Sequence, residues 1–211
     1  MEINYLTLGN DCSPAAALRN LNLRNVALPF DWVVSNIHIL ETCFADKFEH
    51  FHKHLRYNET KTRLIDFYGF QFPHDYPLNH VEGGADDDIG EGIFGEETGK
   101  VIADDWYSHH DKVVAKYERR IQRFYSILGD SSPIIVLCRY NTKDVLRLQT
   151  LLLQHRKLEN IYFINSSAEK FECDNITNIH TEKDGSWNDT NIWKKQIDEC
   201  ILKITKDNQQ R

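Results

Sequence analysis

The sequence predicts an α/β protein of three layers: helices on both faces of a mostly parallel sheet, with further helices inserted in the middle of the chain. Three observations lead there. The last third alternates apolar strand segments with helical segments, the pattern of parallel strands joined by right-handed crossovers. The chain opens with a strand, a tight corner and a helix. The opening strand carries bulk on both faces, as strands covered on two sides do, so it is expected in the interior of the sheet beside a parallel strand from the last third.

The elements follow in order. Ile3, Tyr5, Leu6, Thr7 and Leu8 form the opening strand, broken by Gly9-Asn10-Asp11. Pro14 followed by Ala15-Ala16-Ala17-Leu18 starts a helix, since proline is tolerated in a first turn. Asn25–Trp32 (NVALPFDW) is a structured loop, with Pro29 holding Leu28 extended. Ser35–Phe51 reads as a helix through Ile37, Leu40, Cys43, Phe44, Phe48 and Phe51. Its end carries His50, His52 and His54, which alternate and so face different ways; a solvated helix end is expected there and not a metal site. Leu64–Phe72 reads as strand. The stretch 82–100 is rich in glycine and carboxylates and predicts a mobile acidic loop. It is not an EF-hand: started at Asp86, the glycine falls at the fifth position and not the sixth.

Asp105–Leu128 is the strongest helix, with Trp106, His110, Val113, Tyr117, Ile121, Phe124 and Leu128 at three- and four-residue steps. Of its Arg119, Arg120 and Arg123, two are expected only to solvate the outer face. Then come a strand at Ile134–Arg139, a helix capped by Asn141 or Thr142 and running to about Arg156, strands at Ile161–Asn165 and Ile176–His180, and a closing helix capped by Asp189 or Thr190.

The chain has 211 residues, the size of one ordinary domain spanning 1–211. The formal charge of −7, from 32 acidic against 25 basic residues, argues against a module built to bind nucleic acid on a basic face. The longest apolar run, Ile134–Cys138, is far too short to cross a membrane, and the first residues have neither a basic start nor an apolar signal core. A cytoplasmic protein with no membrane or nucleic-acid partner is expected; oligomeric state is not encoded in any pattern. Cysteines at 12, 43, 138, 173 and 200 form no CxxC pair, so no structural zinc is expected and no metal is called for. Cys138 and Cys200 read as buried thiols.

In an open α/β sheet, ligands bind beyond the C-terminal ends of the strands. Those ends deliver Asn10, Asp11 and Cys12, then Arg139, Tyr140 and Asn141, then Asn165 and Ser166, and finally His180. Cys12 stands at the mouth of a helix. The positive end of a helix favours a thiolate, and the unbonded N–H groups of its first turn suit an oxyanion. Those are two needs of a nucleophile; the other reading is a cysteine that packs at a corner. Arg139, a forked cation at a strand end, suits an anion or a structural ion pair equally. Asp31 and Trp32 could touch a ligand, though Asp31 as a turn cap and Trp32 as a core anchor is the stronger reading.

These residues also resemble a known family. LTLGNDCSPAAALRNLNLR at Leu6–Arg24, followed by Ala27-Leu28-Pro29-Phe30-Asp31-Trp32, is similar to the signature of the family described as putative papain-like cysteine peptidases, a domain of unknown function. Phe72-Pro73-His74-Asp75-Tyr76 resembles its second block, Lys116–Phe124 its third, and Trp187–Trp193 its closing pair of tryptophans. Thr7 stands where the family usually has serine. The resemblance implies Cys12 as nucleophile, His74 as base and Asp75 as a further catalytic candidate, with no cofactor, and an α+β papain-like fold as the alternative to the three-layer sheet. Consecutive side chains in an extended segment point apart, so Asp75 is poorly placed to orient His74.

Three functions are therefore open. The first is a thiol hydrolase, peptidase or acyltransferase on a peptide or small-molecule substrate. The second is a non-catalytic or transferase-type domain holding a small anionic ligand at the strand-end cleft through Asn10 and Arg139. The third is esterase-like chemistry with His180 as the base in place of His74, near Asp184.

Overall fold

The computed structural model describes residues 2–78, 101–155, 160–173, 175–181 and 190–209. The acidic glycine-rich segment, Asp184 and Trp187 lie outside these residues. The chain falls into two compact units, Met1–Asn25 with Tyr125–Arg211, and Val26–Phe124.

The first unit is the α/β domain. Strands β1 (Asn4–Thr7), β5 (Ile134–Cys138), β6 (Ile161–Ser167) and β7 (Ile176–His180) make a sheet in that order, parallel at every pairing. The alternation of side chains divides the strands into two apolar faces. On one, Ile135, Leu137, Tyr162 and Ile164 pack with Ala17 and Leu18 of α1 (Ser13–Asn20) and with Trp193, Ile197 and Ile204 of α5 (Thr190–Gln209). The other carries Leu6, Leu8, Val136, Cys138 and Phe163, all buried. Helix α4 (Thr142–Leu153) links β5 to β6, is capped by Asn141 Oδ1 accepting from Asp144 N at 2.8 Å, and buries Val145, Leu148 and Leu152. This is the three-layer arrangement with a parallel sheet, not a helical half beside a barrel.

One expectation is corrected. The opening strand does have β5 as its parallel neighbour, but it stands at the edge of the described sheet and not inside it. Two-faced bulk reports cover above and below a strand; it carries no information on whether both backbone edges are paired.

The second unit has a different texture. Helix α2 (Ile37–Ala45) stops well before Phe51, where Lys47 and Phe48 adopt positive φ of 57° and 67° and turn the chain. The expected strand at 64–72 is instead the end of a small antiparallel sheet, β2 (Arg56–Tyr57), β3 (Leu64–Ile65) and β4 (Gln71–Phe72), folded at Gly69 with φ of 105°. A single 3₁₀ turn, Trp106–His109, leads into α3 (His110–Gly129). The core is aromatic: Phe30 lies within 6.0 Å, ring to ring, of Phe44, Phe48, Phe51, Phe70 and Phe124. That places the Phe of the PFDW stretch as the hub of this unit.

Candidate functional site

The corner after β1 is built by its sequence. A Cβ at Gly9 would sit 3.1 Å from the Asp11 carbonyl oxygen and 3.3 Å from Pro14 Cγ, so only glycine fits without movement. Cys12 then takes the N-cap of α1, at φ −83° and ψ −3°, and its carbonyl accepts from Ala16 N at 2.9 Å. The residue is buried, 7% exposed. Asp11 reaches over it: Oδ1 accepts from Ser13 N at 2.9 Å, while Oδ2 takes Arg139 Nη1 at 2.7 Å. The first turn therefore offers fewer amides than expected. Pro14 has no N–H, Ser13 N–H goes to Asp11 and Ala16 N–H to Cys12, which leaves that of Ala15.

The strand ends do form a cleft, of about 270 Å³. It is lined by Asn10 and Asp11 after β1, Arg139, Tyr140 and Asn141 after β5, Ser166 to Glu169 at the end of β6, and Thr181 after β7. Ser166 and Thr181 share a hydroxyl contact of 3.2 Å at its floor. The cation expected to wait there is already matched by Asp11. The first amide of α4 is matched too: Glu169 Oε2 accepts from Thr142 N at 2.7 Å and from Thr142 Oγ1 at 2.5 Å. His180 closes β7 in register with Ser167 and is exposed. Its strand stands three places from β1, about 14 Å at ordinary strand spacing, so two strands separate its backbone from that of β1.

The remaining candidates belong to the second unit. His74 is buried, with its ring edge-on to Trp32 at 5.8 Å. Asp31 Oδ2 accepts from Leu28 N at 2.8 Å and closes the Pro29-Phe30 turn, the structural role. Asp75 is turned away to other work: Oδ1 holds Lys116 Nζ at 2.5 Å and Oδ2 accepts the Tyr117 hydroxyl at 2.7 Å. Burial alone would raise this carboxyl, but Lys116 and Arg120 more than offset it and hold it below the usual carboxylate range.

One expectation about this unit is corrected and one is resolved. Of the three arginines on α3, Arg119 is exposed and Arg123 half-buried, whereas Arg120 turns inward: it is 1% exposed, its Nε has no acceptor, and its guanidinium lies 5.4 Å from the Tyr117 ring centre. His52 is not at a solvated helix end. It is buried, with Nε2 2.7 Å from the Tyr76 hydroxyl, which in turn lies 3.1 Å from His110 Nδ1. Lys116, Tyr117 and Arg120 fall on the same three- and four-residue steps as Val113 and Phe124, so the helical period did mark them as inward; their polarity hid it.

Among the other thiols, burial raises those of Cys43 and Cys138 and takes Cys200 up to about 11. Among the described residues no three His, Cys, Asp or Glu side chains come together as a metal site. No helix of the described residues is long and apolar enough to cross a membrane.

A parallel α/β domain with a cysteine at a helix mouth beyond its first strand is the class that fold and site define. The sequence profile of the family described as putative papain-like cysteine peptidase matches residues 3–167, so the chain belongs to that family. No curated protein and no solved structure matches the chain.

Proposed function

We propose that the protein is a thiol-dependent hydrolase or acyltransferase with Cys12 as its nucleophile. The sulfur attacks a carbonyl carbon, a histidine takes the thiol proton and returns it to the leaving group, and water or a second nucleophile then releases the acyl group from the thioester. The observation that carries this reading is the place of Cys12: the N-cap of α1, directly beyond β1, within the residues that the family profile matches. Ala15 N–H is the candidate oxyanion donor of that turn. His74 is the base that the resemblance assigns. His180, exposed at the far edge of the described sheet, is the weaker candidate. Asp75, committed to Lys116 and Tyr117, supports the unit and does not orient the base.

The test is a panel of activated amide and thioester substrates with mass spectrometry of the acyl-enzyme. Acylation should map to Cys12 and vanish in Cys12→Ala. His74→Ala should slow it on the order of 10²-fold or more, while His180→Ala leaves it unchanged. Turnover that survives Cys12→Ala would end the proposal.

A further inference from the structure

The buried charges around Asp75 do not cancel. Its carboxylate faces two cations: Lys116 Nζ, bonded to Oδ1 at 2.5 Å, and the Arg120 guanidinium, whose charge also acts on it. The Tyr117 hydroxyl on Oδ2 brings no charge, and burial keeps the nearby His52 ring neutral. Two cations against one carboxylate leave one positive charge in excess among the described residues. The other buried carboxylates of this unit do not balance it. Asp31 accepts from Leu28 N, and Asp66 from the amides of His52, Gly69 and Phe70.

The excess lies on Arg120. Lys116 and Tyr117 occupy the two oxygens of Asp75, and no oxygen among the described residues accepts from the guanidinium. The Tyr117 ring, 5.4 Å from its central carbon, attracts the charge without offering it an oxygen. A guanidinium 1% exposed has given up its water, and one left unbonded has gained nothing in return; folded chains seldom keep a charge in that state without a partner. Of its nitrogens Nε alone is shut from water, so the exposure that the side chain keeps includes its Nη tip. The N–H groups along one edge of a guanidinium match the two oxygens of a carboxylate.

We propose that Arg120 is a carboxylate-binding residue, and that the second unit takes the carboxylate of a small organic acid on this guanidinium edge. A single negative charge is what the excess calls for. A phosphate dianion would exceed it and meet Asp75, so the site prefers carboxylates. Lys116 has a separate part: by holding Asp75 it keeps that carboxylate from serving Arg120 in place of the ligand. The proposal goes beyond the thiol chemistry, and all its residues lie in the second unit.

The experiment follows the Arg120 Nε–H resonance of the full chain by heteronuclear NMR, in a buffer free of carboxylate and phosphate and at constant ionic strength. The probes are acetate and inorganic phosphate, with chloride and ethylammonium as controls. Acetate should move the resonance saturably and slow its exchange with water, phosphate should bind more weakly, and the controls should do neither. Lys116→Met removes the excess charge but keeps Arg120, so acetate affinity should fall about tenfold, the loss of about one charge-assisted contact. Acetate should also raise the Tm of the wild type and not that of Arg120→Met. A resonance unmoved by acetate overturns the proposal. So does one moved equally by chloride, which would make this a place for an adventitious ion only. Phosphate binding tighter than acetate, or unchanged acetate affinity in Lys116→Met, overturns the charge argument on which the proposal stands. The readout is binding and not turnover, so this reading and the thiol reading can fail separately.

Discussion

His52 should make the protein acid-sensitive in a window that no surface histidine could produce. Its ring is stacked on Tyr117 at 4.9 Å, lies edge-on to Phe72 at 4.4 Å and is bonded to the Tyr76 hydroxyl. Burial lowers its pKa to about 3, with His110 and Lys116 adding to the effect and Asp75 opposing it. The folded ring is therefore neutral at any pH above that value, whereas the unfolded ring takes a proton below 6.5. The unfolded state binds more protons in between, so this contribution is complete above pH 6.5 and is lost as pH falls towards 3. At about 1.36 kcal/mol per unit, roughly 2 kcal/mol is gone at pH 5. Asp66 works the other way. Burial raises its carboxyl to about 6, against the bonds from His52, Phe70 and Gly69 N–H, so its folded form holds a proton and gains stability as pH falls from 6 towards 4. Between pH 7 and 5 it returns about 1.4 kcal/mol of the roughly 2 kcal/mol lost at His52, so the wild type keeps only part of the acid sensitivity. The difference between wild type and His52→Gln removes Asp66 from the comparison, because both proteins carry it. Urea unfolding at pH 7, 6 and 5 should show that difference shrinking by about 2 kcal/mol across the series. A difference that stays constant with pH would refute the buried neutral ring.

Other perturbations follow from the same contacts. Asp75→Asn leaves Lys116 and Arg120 buried without a carboxylate and should cost about 3–5 kcal/mol in urea unfolding, whereas Asp75→Asn with Lys116→Met should recover part of that loss. Iodoacetamide followed by peptide mapping should modify Cys12 faster than Cys43, Cys138 or Cys200, whose thiols burial raises; equal rates would make Cys12 a packing residue. Gly9→Ala forces the Asp11 carbonyl or Pro14 to shift and should lower stability by about 1–3 kcal/mol, read from the midpoint of thermal unfolding.

What the sequence disclosed depends on which physical signal each element leaves. β5 and β6 were legible because strands buried on both faces are apolar without interruption, and Ile134–Cys138 is that run. The cleft was legible in Asn10, Asp11 and Arg139 because strand ends are fixed once the strands are. Its charge balance was not, since Glu169 meets Thr142 across 27 residues and nothing local marks the pairing. The end of α2 was misplaced because Lys47 and Phe48 take positive φ without a glycine to signal it; burial of Phe48 against the rings of Phe30, Phe44, Phe51 and Phe124 supplies the compensation. His52 was placed outside because polarity was read as exposure. A buried polar group is a property of its partners, and Asp75, Tyr76 and Tyr117 come from other elements.

Asp11 decides how far the helix mouth alone can activate Cys12. An exposed helix end stabilises an anion by about 0.3–1 kcal/mol, less than a tenfold gain in thiolate. Here a carboxylate already sits on that end, bonded to Ser13 N, and its charge opposes a second anion one residue away. Arg139 returns part of what Asp11 removes, through a pair that is about a quarter exposed on each side and so weakened by solvent. The three act in opposite directions on the same sulfur. The helix end alone is too weak to be the whole of the activation, which makes the histidine mutants the decisive arm of the nucleophile test. Asp11→Asn keeps the cap through its amide oxygen, removes the opposing charge and releases Arg139 from its carboxylate. It should raise the Cys12 alkylation rate severalfold at neutral pH if the helix mouth contributes, and leave it unchanged if the histidine acts alone.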